Sequence, residues 1–204
     1  PGSVSAPNAV DRRKSAGESA RMRVTGGRAR GIQLRVPAKG GVRPATDYIR
    51  EAVFSSLAAS VPGADVLDLF AGTGAYALEA LSRGAARATC VDLRAGSEIA
   101  ANAAAVAKSM GLASLPLTVE TDDALRSRAS GHDLVFADPP WDLWETRGAE
   151  VSAAACAAAG EGAHVRVVLE APGGQAVPVP EGWRLRKLIG KGRGQPSAHV
   201  LSRA

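Results

Sequence analysis

Short bursts of apolar residues alternate along most of this chain with stretches in which apolar positions recur every three or four residues. The bursts are four to seven residues long and rich in Val, Ile and Leu, the pattern of strands buried on both faces; the 3.6-residue recurrences predict amphipathic helices. Strands are expected at Asp65–Phe70, Ala88–Asp92, Leu115–Glu120, Asp133–Ala137, His164–Glu170, Trp183–Ile189 and Ala198–Ser202. Helices are expected at Asp47–Ala59, with Ile49, Val53 and Leu57 on one face and Thr46 as N-cap, then at Ala75–Arg83, Ser97–Met110 and Leu143–Ala159. Alternation of strand and helix predicts a doubly wound α/β sheet. Ahead of it, Met22–Thr25 and Ile32–Val36, joined through Gly26-Gly27 and Gly31, read as a β-hairpin.

Composition narrows this to one domain. With 204 residues and 46% apolar content, the chain buries a single good core and has little room for a separate target-recognition domain. Residues 1–20, rich in Ser, Ala, Pro and charge without periodicity, read as a disordered extension or remnant, residues 21–45 as the hairpin arm and residues 46–204 as the main domain. No run approaches the roughly 18 apolar residues that span a bilayer, and no signal peptide is evident, so a cytoplasmic protein is expected. Cys90 and Cys156 lack metal or redox spacing and read as buried free thiols, and His132, His164 and His199 stand apart, so no metal site is expected.

Charge is distributed unevenly. Residues 1–50 carry 11 Lys or Arg against 3 acids, whereas the remainder carries 14 against 17. The excess decorates the hairpin: Arg21, Arg23, Arg28, Arg30, Arg35, Lys39 and Arg43 suit an arm that grips nucleic-acid phosphates, although a solvated charged ribbon has the same composition. Arg184, Arg186, Lys187, Lys191 and Arg193 form a second cluster without interleaved acids.

Two motifs bring chemistry to the sheet. Asp138-Pro139-Pro140-Trp141 closes the fourth main strand. The lone pair of an exocyclic base nitrogen is delocalised into the ring, and acceptors such as the Asp138 carboxylate and the Pro139 carbonyl favour the tetrahedral, positive nitrogen of a methyl-transfer transition state. Trp141 offers a stacking face for the base, and Pro139 and Pro140 stiffen the turn. The tetrapeptide alone is equally compatible with a plain proline-rich turn. Upstream, Val66-Leu67-Asp68-Leu69-Phe70-Ala71-Gly72-Thr73-Gly74-Ala75 is a strand breaking into a glycine turn before a helix, which reads as a nucleotide-cofactor loop. A nicotinamide or flavin dinucleotide also fits Gly72-x-Gly74-x-x-Ala77, but Asp68 would repel a pyrophosphate and suits the ammonium and sulfonium of S-adenosylmethionine. Asp92 is spaced to take ribose hydroxyls, and Asp123, followed by Ala124, to take an adenine amino group in preference to Asp122.

Taken together, Met22–Gly31, Val42–Phe54, Asp68–Ala75, Leu78–Ala85 and the Asp-Pro-Pro-Trp turn make the chain resemble the bacterial RsmD family of small-subunit ribosomal RNA guanine-N2 methyltransferases over about 120 residues. The resemblance implies a Rossmann-like class I methyltransferase fold, with a seven-stranded, mostly parallel sheet whose last two strands form a hairpin. It implies S-adenosylmethionine held by Asp68, Phe70, Ala71, Gly72, Thr73, Gly74, Asp92, Asp123 and Ala124. Asp138, Pro139, Pro140 and Trp141 would form the catalytic turn, and Arg23, Arg28, Arg30, Arg35, Lys39 and Arg43 would contact RNA. The implied substrate is N2 of a guanine in 16S rRNA of the assembled 30S subunit, and the protein is expected to be a monomer. A methyltransferase for another RNA amino group, such as adenine N6, and a non-catalytic RNA-binding assembly factor are the alternatives. Three departures from the family pattern stand out: Trp141 in place of Tyr or Phe, Tyr76-Ala77 in place of Leu-Gly, and a divergent stretch over 190–197.

Overall fold

The computed structural model describes residues 22–36, 46–94, 96–190, 192 and 194–204. The expected extension over residues 1–20, along with Arg21, Lys39, Arg43, Lys191, Arg193 and the Thr46 side chain, lies outside the described residues. Strands β1 (Met22–Arg23) and β2 (Gln33–Leu34) pair antiparallel as the predicted hairpin, shorter than expected. There follow α1 (Thr46–Ser56), β3 (Asp65–Leu69), α2 (Ala75–Ser82), β4 (Arg87–Asp92), α3 (Ser97–Ser109), β5 (Leu117–Thr121), β6 (Leu134–Ala137), α4 (Trp141–Ala158), β7 (Arg166–Pro172), β8 (Trp183–Ile189) and β9 (Pro196–Arg203).

The seven longer strands form one sheet in the order β5-β4-β3-β6-β7-β9-β8, all parallel except β9, which runs against both its neighbours. This is the class I methyltransferase fold. Alternate side chains of each strand enter opposite layers. Val66, Ala88, Leu134, Phe136 and Val168 meet α1 and α2 through Val53, Phe54, Ala77 and Leu81. Leu67, Leu69, Val135, Val167 and Leu169 instead meet α4 through Trp144, Val151 and Ala155. The connection from edge strand β5 to central strand β6 contains no helix; Ala124, Leu125 and Ala129 pack directly on the α4 side.

Several element ends differ from expectation for local reasons. Pro116 interrupts the start of the β5 segment, where Leu117 N–H turns back to the Leu115 carbonyl, so the strand begins at Leu117. A turn closed by Val165 N–H on the Gly162 carbonyl delays β7 to Arg166. Helix α4 starts two residues early, at Trp141, because Pro140 (φ −51°) already has the backbone angle that leads into a helix.

The hairpin does not stand free of the sheet. Met22, Val24, Ala29 and Leu34 bury against Ala75 and Leu78 of α2 and Val106 of α3. Beneath them the fully buried Glu79 accepts from Thr25 N–H (2.6 Å), Thr25 Oγ1 (2.8 Å) and Arg83 Nε (2.8 Å) and lies 3.5 Å from Arg50 Nε. Arg50, also buried, bonds Asp47 Oδ1 at 2.7 Å. Hairpin, α1 and α2 thus share one charged centre.

Candidate active site

Loops leaving the carboxyl ends of β3, β4, β5 and β6 surround a cleft of about 560 Å³, at the edge where open α/β sheets bind ligands. β3 supplies Phe70, Ala71, Gly72 and Thr73, and β4 supplies Asp92. β5 supplies Asp123 and Ala124, and β6 supplies Asp138, Pro139 and Pro140. Phe70 to Thr73 of the glycine loop, Asp92, Asp123, Ala124 and Asp138 to Pro140 therefore share one wall, and Asp123 rather than its neighbour Asp122 faces the space.

The glycine loop is held in a demanding conformation. Gly72 and Gly74 have φ of 53° and 77°, and Phe70 has φ 61°, the only positive value outside glycine among the described residues. For a bulky side chain this costs on the order of 1–3 kcal/mol, and the strain lies directly at the cleft. Three donors in and just after the loop are committed inward. Gly72 N–H donates to Asp92 Oδ2 at 2.9 Å, Gly74 N–H to the Ala71 carbonyl at 2.7 Å, and Ala77 N–H, in the first turn of α2, to Asp68 Oδ2 at 3.0 Å. A pyrophosphate-binding loop instead leaves such N–H groups open toward the ligand. This arrangement, with three carboxylates in the wall, fits a phosphate-free, positively charged cofactor and disfavours a dinucleotide.

Asp92 bridges two loops, since its Oδ1 accepts Arg94 N–H at 2.8 Å while Oδ2 holds Gly72. Asp123 Oδ1 accepts Leu125 N–H at 3.0 Å, which turns its other oxygen toward Arg126 at 3.6 Å. Asp68, Gly74 and Trp141 are not in the wall. Asp68 is buried beneath the loop; burial pushes its pKa up to about 8, against the lowering effect of the Ala77 bond, with Asp138 and Asp92 raising it further. Trp141 is half-buried at the first residue of α4.

Sequence reasoning did not single out Met22, Leu93, Arg94, Leu125, Leu143 and Arg147, which complete the wall. Met22 reaches it because Thr73 Oγ1 lies 3.3 Å from its sulfur, which ties hairpin to glycine loop. Arg147 sits at a kink in α4 (φ −138°, ψ 24°), which no residue pattern signals. Behind the turn, Tyr76 Oη donates to the buried Glu170 Oε2 at 2.6 Å. Burial first, then the charges of Glu170 and Asp138, hold the Tyr76 pKa far above its ordinary value.

Arg23, Arg28, Arg30 and Arg35 are all exposed on the hairpin; Arg28 also donates to the Met110 carbonyl at 2.7 Å. Among the described residues no group of three His, Cys, Asp or Glu side chains is arranged to hold a metal, and no helix is long and apolar enough to cross a membrane. Cys90 and Cys156 are buried free thiols, as expected.

The family model described as Conserved hypothetical protein 95 matches residues 22–192. The chain belongs to this family, the RsmD family. Within it, Ribosomal RNA small subunit methyltransferase D of Escherichia coli (strain K12) is 41% identical over 124 residues, 60% of this chain and 62% of that protein. The chain thus spans somewhat under two thirds of that relative's length. The Putative rRNA methyltransferase YlbH of Bacillus subtilis (strain 168) is 34% identical over 132 residues, 59% of this chain and 67% of that protein. Among solved structures, the putative methyltransferase yhhF from Escherichia coli superposes with a TM-score of 0.70 at 31% identity, covering 90% of this chain and 98% of that one. The RsmD-family assignment and the parallel sheet with its antiparallel β9 agree with the resemblance drawn from the sequence motifs.

Proposed function

We propose that this chain transfers a methyl group from S-adenosylmethionine to N2 of a guanine in 16S rRNA, acting as a monomer on the assembled 30S subunit. The observation that carries this reading is the position of Asp138 and Pro139 in the same cleft wall as the glycine loop, Asp92 and Asp123. An acceptor turn and a cofactor loop opening on one space is what transfer to an amino group requires. The names of the RsmD-family relatives support ribosomal RNA as the substrate class.

S-adenosylmethionine, when bound, supplies an electrophilic methyl group on a sulfonium centre. Phe70, Gly72, Thr73, Asp92, Asp123 and Ala124 would hold it, the two acids by accepting from hydroxyl and amino groups. Asp138 and the Pro139 carbonyl accept from the two N–H groups of the target nitrogen and keep its lone pair aimed, so catalysis comes chiefly from alignment. Trp141, which follows Pro140 of the wall in sequence, would stack on a base that has left its helix. The exposed hairpin arginines contact RNA backbone and position it without choosing the base. No covalent bond to protein is needed, and the methylated nitrogen, once positive, releases its proton readily.

The test is transfer of labelled methyl to small ribosomal subunits lacking the modification, with the product nucleoside identified by mass spectrometry. N2-methylguanosine that disappears with Asp138→Ala supports the proposal. A methylated adenosine would move the chain to another RNA amino group, and cofactor binding without any transfer would move it to a non-catalytic role.

A further inference from the structure

We infer that a second RNA contact, a cleft for phosphodiester groups, lies at the amino end of the sheet, opposite the methyl-transfer cleft. The inference rests on the RNA substrate proposed above. Strand β7 begins at Arg166, β8 begins beside Arg184, and β9, running the other way, ends at Arg203. These ends meet around a cleft of about 450 Å³ whose wall carries Arg166, Arg184, Arg186, Arg203 and Ser202 and no acidic side chain.

The strand register brings the four arginines to one end of the sheet. Arg184 is in register with Ser202, and the Val167–Leu201 pairing puts Arg166 beside Ser202 on the other side, so Arg184, Ser202 and Arg166 stand in one row across three strands. A register shift between Leu185 and Lys187 leaves Arg186 as the extra residue of a bulge, a device that re-aims a side chain. Arg166 Nη1 is anchored on the Ala163 (2.6 Å) and Val165 (2.8 Å) carbonyls. Arg203 donates to the Gly160 carbonyl at 3.0 Å and lies 4.5 Å above the Trp183 ring. None of the four forms an ion pair among the described residues, although Arg23, Arg50, Arg83, Arg87, Arg126 and Arg147 all do.

Like charges at one end of the sheet, with no ion-pair partner among the described residues, repel one another, and an anion relieves that repulsion. Guanidinium forks match phosphate oxygens in pairs. A backbone carrying successive phosphates meets several forks at once, whereas a single phosphate occupies one or two, so RNA is the occupant. Seven residues of β7 at about 3.3 Å each put the two clefts roughly 20 Å apart. Because the clefts open at opposite ends of the sheet, an RNA must pass around the domain to fill both: a few nucleotides seated at Asp138 cannot, whereas a large folded RNA can. The cleft therefore selects for substrate size and leaves base identity to the other end of the sheet.

The experiment compares wild type with R184E/R186E for binding to small ribosomal subunits and to a short guanine-containing hairpin, each across a salt series. Affinity for subunits is expected to fall at least about tenfold, and the slope of log affinity against log salt to become shallower by about 1–2, as for two lost phosphate contacts. Affinity for the short hairpin and for S-adenosylmethionine is expected to stay within about twofold. R184K/R186K, which keeps the charge, should retain the slope, and matching thermal melts establish that the variants fold. Unchanged subunit affinity and slope in R184E/R186E overturn the inference, as does equal weakening on both RNAs. If wild type methylates RNA while R184E/R186E binds subunits as tightly, only this cleft is lost; if wild type neither binds nor methylates RNA, the functional reading falls with it.

Discussion

Tyr76 and Glu170 join the first turn of α2 to the end of β7 through a 2.6 Å hydrogen bond buried under the cleft. The bond fixes the helix that follows the glycine loop against the strand adjacent to β6, which carries Asp138 at its end. Tyr76 also stacks on Phe136 at 4.8 Å, so its ring and its hydroxyl tie the same two regions together. Replacing Tyr76 by Phe keeps the ring and removes the donor. Tyr76→Phe is expected to lower stability by about 1–3 kcal/mol, read by urea denaturation; a variant as stable as wild type would show that the bond contributes nothing.

Asp138→Ala removes the acceptor that the proposed mechanism assigns to the target nitrogen. Methyl transfer to subunits is expected to drop by at least about 10²-fold, while cofactor affinity by calorimetry changes little. A variant retaining normal turnover would remove Asp138 from catalysis.

Asp68 predicts a pH dependence with a definite sign. Its folded pKa of about 8 stands above the 3.8 of an exposed carboxyl. Between those values the folded state holds a proton that the unfolded state has lost. Its contribution is therefore complete below about pH 4 and fades as pH rises through 8. Asp68→Asn keeps an acceptor for Ala77 N–H and cannot ionise. The difference in melting temperature, variant minus wild type, should grow from about pH 4 to pH 8 and level off above it; a constant difference across that range would contradict the buried, proton-holding state.

Glu79 is the charged centre under the hairpin, and Glu79→Ala leaves Arg50 buried without it. The expected loss is about 3–5 kcal/mol, with faster hydrogen exchange at the Thr25 amide, which donates to Glu79. Slow exchange at Thr25 in the variant would show that apolar packing alone docks the hairpin.

What could be read from the sequence was what local pattern encodes. The apolar runs over Val66–Leu69, interrupted only by Asp68, and Leu134–Ala137 announce central strands because both faces are buried, and acids at strand ends announce the cleft because topology brings those ends together. Of the two acids that follow β5, Asp123, the one preferred, lines the cleft. Asp68 was not placed correctly by pattern alone: a carboxylate at a strand end can turn toward a ligand or, as here, accept from the next helix, and only the path of the chain decides between them. Met22 and Arg147 enter the cleft wall through hairpin docking and a helix kink, both tertiary events without a periodic signature. The Tyr76–Glu170 bond spans 94 residues of sequence, beyond any local reading.

Asn102 carries a consequence for how the cleft is entered. Its amide accepts Arg35 N–H at 2.6 Å and donates to the Arg35 carbonyl at 3.1 Å and the Thr73 carbonyl at 3.0 Å, so one buried side chain fastens hairpin and glycine loop together. A ligand arriving at Thr73 meets backbone already immobilised. Little conformational freedom is left in that segment to lose on association, which favours tight binding without loop closure.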